Sequence, residues 1–285
     1  MVLFIFILTD IIGVIWEGDR LLPKIQETIS FLRSLNKKII FVTNSSSKSR
    51  RTLARKFAAL GIPVDQEEIF GSCYSAATYL SQVLSFPRDK TVYLLGEKGM
   101  EEELDAEGIS SLGGTCPDDR RHFEHEDFDQ LASDENIGAV LCAGDYHITY
   151  RKLAKALTYL LQSPDVLFLA TNPDSTFRYN GNLVPCAGTI TVMPLQYASK
   201  RIATICGKPS PAMMDAIVAR YTLNKELTCM VGDRLDTDIK FGIQGNLGGT
   251  LLVLTGVSAL HDCESENIFP DYVINQFGDL ANAKQ

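Results

Sequence analysis

The chain has 285 residues, 45% of them hydrophobic, and a formal net charge of −8. That length can bury a large core and fits one big domain or two. The acidic balance argues against nucleic acid as a main partner, because phosphate backbones need basic faces, so any anionic ligand must be attracted by a local site.

The chain opens with MVLFIFIL, which has no basic leader and no small-residue cleavage site. It is also far shorter than the ~20 apolar residues of a membrane span. It reads as a buried strand over 2–8, in a chain with no membrane role. Asp10 follows the strand, and Gly13 comes three residues after Asp10. A helix begins near Pro23, with Ile25, Ile29, Leu32 and Leu35 along one face; proline suits a first helical turn. KIIFVTN, 38–44, is a second strand. SKSRRTLARKFAALG then gives a helix with Leu53, Phe57 and Leu60 inward and a glycine stop. EEIFGS and a helix through AATYLSQVL come next.

The alternation continues through TVYLLG (91–96), IGAVLCAG (137–144) and DVLFLATN (165–172), then RIATICG, LTCMVGD and GTLLVLTG. The stretch 115–136 is polar and reads as a surface excursion. Apolar strands alternating with helices imply α/β architecture, with parallel sheets covered on both faces. The strands are too many for one compact sheet. The expectation is a Rossmann-like core over 1–86 and 203–285, with an α/β cap inserted at 87–202. The seven cysteines are scattered without CxxC spacing, which argues for reduced thiols in a cytoplasmic protein.

In open parallel sheets, ligands bind beyond the carboxyl ends of the strands. Asp10 ends the first strand, and Thr43-Asn44-Ser45 end the second. CGKPSP places Lys208 after a later strand, and VGDRLDTD places Asp233 and Asp238 after the next. A carboxylate can attack phosphorus and split hydrolysis into two easier steps. A threonine hydroxyl and helix-start amides can hold phosphoryl oxygens, and a lysine supplies a fixed positive charge. Two further carboxylates can hold Mg²⁺, which prefers oxygen ligands. Singly, each residue has a bland explanation as turn, cap or surface charge. Their joint order, each after an apolar strand, is far less frequent by chance.

With these residues in place, the sequence resembles the haloacid dehalogenase-like phosphatases. Within them it is most similar to the p-nitrophenylphosphatase and phosphoglycolate phosphatase branch, particularly its fungal members. The resemblance runs from about Gly13 almost to the C-terminus and weakens upstream. It rests on GVIWEGDRLLP, FVTNSSSKSR, KFAALGI, GDRLDTD and GTLLVLTG, with NPDSTF and VPCAGT inside the insertion. It implies Asp10 as nucleophile, Thr43 as phosphate-binding hydroxyl and Lys208 as motif lysine. Thr43, Asn44, Ser45 and Lys208 would contact substrate. Mg²⁺ would be held by Asp10, the Ile12 backbone carbonyl, Asp233 and Asp238. The implied substrates are small phosphorylated metabolites, phosphoglycolate-like, or p-nitrophenyl phosphate, and the implied assembly is a homodimer through the cap.

Two positions depart from the family pattern. DxDG is here Asp10-Ile11-Ile12-Gly13, so an isoleucine stands where an acid would protonate the leaving oxygen and then activate water. TNN is here Thr43-Asn44-Ser45, a milder change. The competing reading is therefore a catalytically impaired homologue that binds phosphate or a partner without useful turnover. A phosphoacceptor signalling module ranks below both, since it leaves the cap and the GDRLDTD aspartates unused. Among weaker signals, His122 and His125 sit in the polar excursion, where a solvated segment explains them better than a metal. Asp145, His147 and Tyr150 could face substrate from a cap loop, although a helix start at Thr149 accounts for that stretch nearly as well. No GxGxxG follows a strand, so dinucleotide binding has no support.

Overall fold

The computed structural model describes residues 4–179 and 182–284. The chain divides into two compact units. One comprises Met1–Thr43, Leu53–Phe70 and Lys208–Gln285, and the other Asn44–Thr52 and Gly71–Gly207.

The first unit is organised by a six-stranded sheet in the order Tyr272–Ile274, Gly249–Val253, Thr228–Gly232, Phe6–Thr9, Lys38–Thr43, Ile69–Gly71. The strand Phe6–Thr9 is parallel to both its neighbours: Thr9 stands in register with Val231 on one side and Phe41 on the other. It is fully buried, which is why its sequence is a run of apolar residues without alternation. Sequence position 2–3 of the expected strand lies outside the described residues, and the observed strand starts at Phe6. The chain order of the sheet reverses at Phe6–Thr9, the kind of switch point where parallel sheets open a crevice at their carboxyl ends.

Helix Ile25–Ser34 lays Ile25, Ile29 and Leu32 on this sheet, and Leu53 and Phe57 join them in one cluster with Ile7, Phe41, Val231 and Val253. Leu60 is half-buried against the same cluster. Leu35, expected inward, is exposed: the helix has ended at Ser34, and Asn36 turns into the left-handed region at φ 54°.

The second unit has a five-stranded parallel sheet in the order Thr204–Ile205, Leu167–Ala170, Ile137–Cys142, Thr91–Leu95, Ser110–Gly113. Its two faces are covered separately. Cys73, Ala76, Ala77, Leu80 and Phe86 pack with Val92, Leu94, Met100 and Leu104. Tyr93, Val140 and Phe168 pack with Ala156, Leu160, Val192 and Leu195. The expected boundaries at 86/87 and 202/203 shift accordingly. Residues 71–86 count with the inserted sheet because their apolar face has its partners there, and Thr204–Ile205 is an edge strand of that sheet, registered on Leu169 and Ala170.

The polar excursion is less solvated than its composition implies. Asp119 and Asp127 within it are buried, Asp119 2.6 Å from Lys155 and Asp127 paired with Arg121 and Arg151. No helix among the described residues is long and apolar enough to cross a membrane.

Candidate active site

The site is built from strand ends of the first unit. Asp10 leaves Phe6–Thr9 with its N–H bonded to Val231 O at 2.8 Å. The chain then turns sharply: Ile15 N and Trp16 N both return to Ile11 O, and Gly13 N bonds Trp16 O. Gly13 has φ +83°, and a Cβ there would stand 2.6 Å from Asp233 Oδ2. A side chain at 13 would therefore be strained and would also displace Asp233. Among the described residues no donor bonds the Ile12 carbonyl, while the Ile12 side chain is 57% exposed.

Asp233 follows the buried strand Thr228–Gly232. Its Oδ2 accepts from Val257 N at 2.8 Å, and its main-chain oxygen accepts from Ser258 N. Gly256 completes this cradle, since a Cβ there would lie 1.8 Å from Asp233 Oδ2. Asp238 sits in the wide helical turn Leu235–Ile239 and bends back, its Oδ2 accepting from the N–H groups of Asp233 and Arg234 at 3.2 and 3.1 Å. Lys208 is buried ahead of helix Pro211–Arg220, which Ser210 caps through a bond from Ala212 N. Its Nζ donates to Asp10 Oδ1 and Asp238 Oδ1, both at 2.6 Å, and to Val42 O at 3.1 Å. That last bond places Lys208 at the residue before Thr43, which is itself buried.

The structure thus brings Asp10, Lys208, Asp233 and Asp238 together, with Thr43 at the adjoining strand end. Asn44 and Ser45 follow Thr43 in the chain and belong to the second unit. Sequence reasoning missed the supports of Asp233, namely Gly256, Val257 and Ser258. The only available signal was the glycine closing GTLLVLTG.

Three buried carboxylates face one ammonium here. Burial pushes Asp10 up to about 6, with Lys208 pulling it down and Asp238 pushing it up. Burial likewise raises Asp233 to about 8, helped by Asp238 and Asp10 and opposed by the Val257 N–H and Lys208. Burial works against the Lys208 charge, but Asp10 and Asp238 outweigh it and hold its pKa above the usual lysine range. Carboxylate oxygens of Asp10, Asp233 and Asp238 lie within 4.8 Å of one another. Hard oxygen donors with unneutralised charge suit a divalent cation such as Mg²⁺. Since both Asp238 oxygens are engaged by protein donors, Asp10 and Asp233 would contact the ion directly and Asp238 would orient them.

A second trio, Glu97, Asp145 and His147, also has carboxylate and imidazole atoms in reach of one another. Its carboxylates are already matched: Asp145 is fully buried 2.6 Å from Lys152, and Glu97 pairs with Arg120 and with His147 Nδ1. Asp145 is thus a structural counter-ion. Thr149 caps helix Tyr150–Gln162 by accepting from Lys152 N, and Tyr150 packs edge-on against Phe123 at 4.8 Å. His122 is exposed, and His125 packs against Phe128.

At the switch point of the parallel sheet, a buried strand-end carboxylate is thus bridged by lysine to a second acid. The family model described as haloacid dehalogenase-like hydrolase matches residues 7–110, and a related HAD-hydrolase-like model matches 205–280. The chain belongs to this family. It is 46% identical to the 4-nitrophenylphosphatase of Schizosaccharomyces pombe, over 96% of this chain and 92% of that one. It is 40% identical to the chloroplastic phosphoglycolate phosphatase 1A of Arabidopsis thaliana, over 99% and 76%. A solved glycerol phosphate phosphatase from Mycobacterium tuberculosis, in complex with magnesium, superposes with a TM-score of 0.80 at 27% identity, over 97% and 76%.

Proposed function

We propose that the chain is a Mg²⁺-dependent phosphatase of small phosphomonoesters that works through an aspartyl-phosphate on Asp10. The observation carrying this reading is the Lys208 bridge, which holds Asp10 Oδ1 at 2.6 Å and so orients the carboxylate at the strand end. In the first step an Asp10 oxygen forms a bond to phosphorus, and the ester oxygen leaves with its electron pair. In the second, water attacks phosphorus, the acyl-phosphate bond breaks, and orthophosphate and free Asp10 result. Lys208 balances charge on the phosphoryl oxygens and on Asp10. Thr43, Asn44 and Ser45 would hold those oxygens by hydroxyl and amide. Mg²⁺, bound by Asp10, the Ile12 carbonyl and Asp233 and oriented by Asp238, would neutralise charge accumulating in the transition state.

The substrates for which the relatives are named, 4-nitrophenyl phosphate, phosphoglycolate and glycerol phosphate, support a small phosphorylated metabolite as substrate. We also infer a cytoplasmic protein that pairs with itself through the inserted unit, with that unit at 87–202 or the slightly longer 71–207. The deciding assay is Mg²⁺-dependent phosphate release from these three esters, with Asp10→Asn as the control that abolishes it.

A second reading is favoured by one observation. Ile12 offers no proton to the leaving oxygen and no base to water, yet its side chain is open to solvent. On that reading the chain binds phosphate, or a partner, and turns substrate over poorly. Loss of general acid–base help typically costs about 10²–10⁴-fold in rate.

A further inference from the structure

Within the first unit the Asp233 carboxylate sits in a slot between two glycines. A Cβ on Gly13 would stand 2.6 Å from Asp233 Oδ2, and a Cβ on Gly256 would stand 1.8 Å from the same atom. Val257 N donates to that oxygen at 2.8 Å, and Ser258 N donates to the Asp233 main-chain oxygen at 2.9 Å. Among the described residues no donor bonds Asp233 Oδ1, which leaves that oxygen for a cation. The two walls of the slot come from distant parts of the chain. Gly13 belongs to the turn after Asp10, and Gly256 to the loop after strand Gly249–Val253.

The sheet sets the spacing of its strand ends as far as Asp10, whose N–H bonds Val231 O at 2.8 Å. Beyond that rung Gly13 and Asp233 have left the ladder. There the half-buried Thr255 ties one wall to the other: its Oγ1 donates to Gly13 O at 2.5 Å. The same loop reaches the turn of Asp238, since Ser258 Oγ accepts from Leu235 N at 3.1 Å. Spacing matters because Mg²⁺ demands near-ideal octahedral geometry at about 2.0–2.1 Å, whereas Ca²⁺ accepts irregular shells at about 2.3–2.6 Å. We propose that Thr255 is a positioning residue for the cation: by holding Gly13 against the 255–258 loop it sets the distance between Asp233 and Asp10 that suits the smaller ion. The inference rests on the Mg²⁺ site of the reading above and adds a residue that touches neither substrate nor metal.

Calorimetric titration of the full chain with Mg²⁺ and, separately, with Ca²⁺ tests it. Thr255→Val removes the hydroxyl at nearly constant volume, and Thr255→Ser keeps it. Thr255→Val should bind Mg²⁺ about tenfold or more weakly, the scale typical of partners that orient metal ligands, with a smaller loss for Ca²⁺. Thr255→Ser should stay within about threefold of the parent for both ions. Mg²⁺ affinity of Thr255→Val within twofold of the parent would overturn the positioning role, as would an equal loss of both ions, which marks general damage to the site. Thr255→Ser as weak as Thr255→Val would assign the effect to packing of the methyl group and also overturn it. Phosphate release by the parent is read separately. Its absence, with the metal affinities as expected, would sink the phosphatase reading and leave the role of Thr255 standing.

Discussion

Lys208 Nζ lies 2.6 Å from Asp10 Oδ1 and the same distance from Asp238 Oδ1, and all three groups are buried. One cation thus joins the end of strand Phe6–Thr9 to the helical turn Leu235–Ile239, far apart in sequence. Breaking a buried pair by removing one partner leaves the other charge uncompensated, at a cost of about 3–5 kcal/mol. Lys208→Met, which keeps the volume of the stem, should lower stability by that order in urea unfolding without changing the slope of the transition. A midpoint equal to the parent's would show that the bridge does not hold these two elements together.

Asp10 and Asp233 predict how stability varies with pH. Unfolded, both titrate near 3.8; folded, burial holds Asp10 at about 6 and Asp233 at about 8. Between about pH 4 and 8 the native state binds more protons than the unfolded chain, so these groups make stability fall as pH rises through that window. Mg²⁺ favours the ionised carboxylates and should offset the loss. The rise in melting temperature on adding Mg²⁺ should accordingly be larger near pH 8 than near pH 5, and Asp233→Asn should remove most of the difference. An equal rise at both pH values would contradict the assignment.

The two acidic trios make opposite predictions. Asp233→Asn takes a charge from the strand-end site and should weaken Mg²⁺ binding strongly in titration calorimetry. Glu97→Gln touches the trio already matched by Lys152 and Arg120 and should leave Mg²⁺ affinity unchanged. The reverse result would move the metal to the second unit.

Much of this site was legible in the sequence, for a physical reason. A fully buried parallel strand is a short apolar run, and the polar residue that ends it marks a sheet edge, so Asp10, Thr43 and Asp233 could be placed from their own neighbours. Asp238 followed from its spacing to Asp233. What escaped depends on partners distant in sequence. Asp119 and Asp127 read as surface residues because Lys155 and Arg151, which make their burial tolerable, lie on the helix Tyr150–Gln162, beyond the strand Ile137–Cys142. The helix after Gly71 read as part of the core because its apolar face is equally suited to either sheet. Leu35 kept the helical spacing but fell just past the turn at Asn36.

The most direct test concerns Ile12, and it is a rapid-quench measurement with p-nitrophenyl phosphate and Mg²⁺. Good leaving groups need little protonation, so the first step should proceed with this ester, while the second lacks a base for its water. Acyl-phosphate on Asp10 should therefore accumulate in the parent and be absent from Asp10→Asn. Ile12→Asp should raise steady-state turnover by about 10²–10⁴-fold and abolish the accumulation. Turnover of Ile12→Asp within a factor of two of the parent, or no acyl-phosphate in the parent at all, would contradict an Asp10 phosphatase slowed by Ile12.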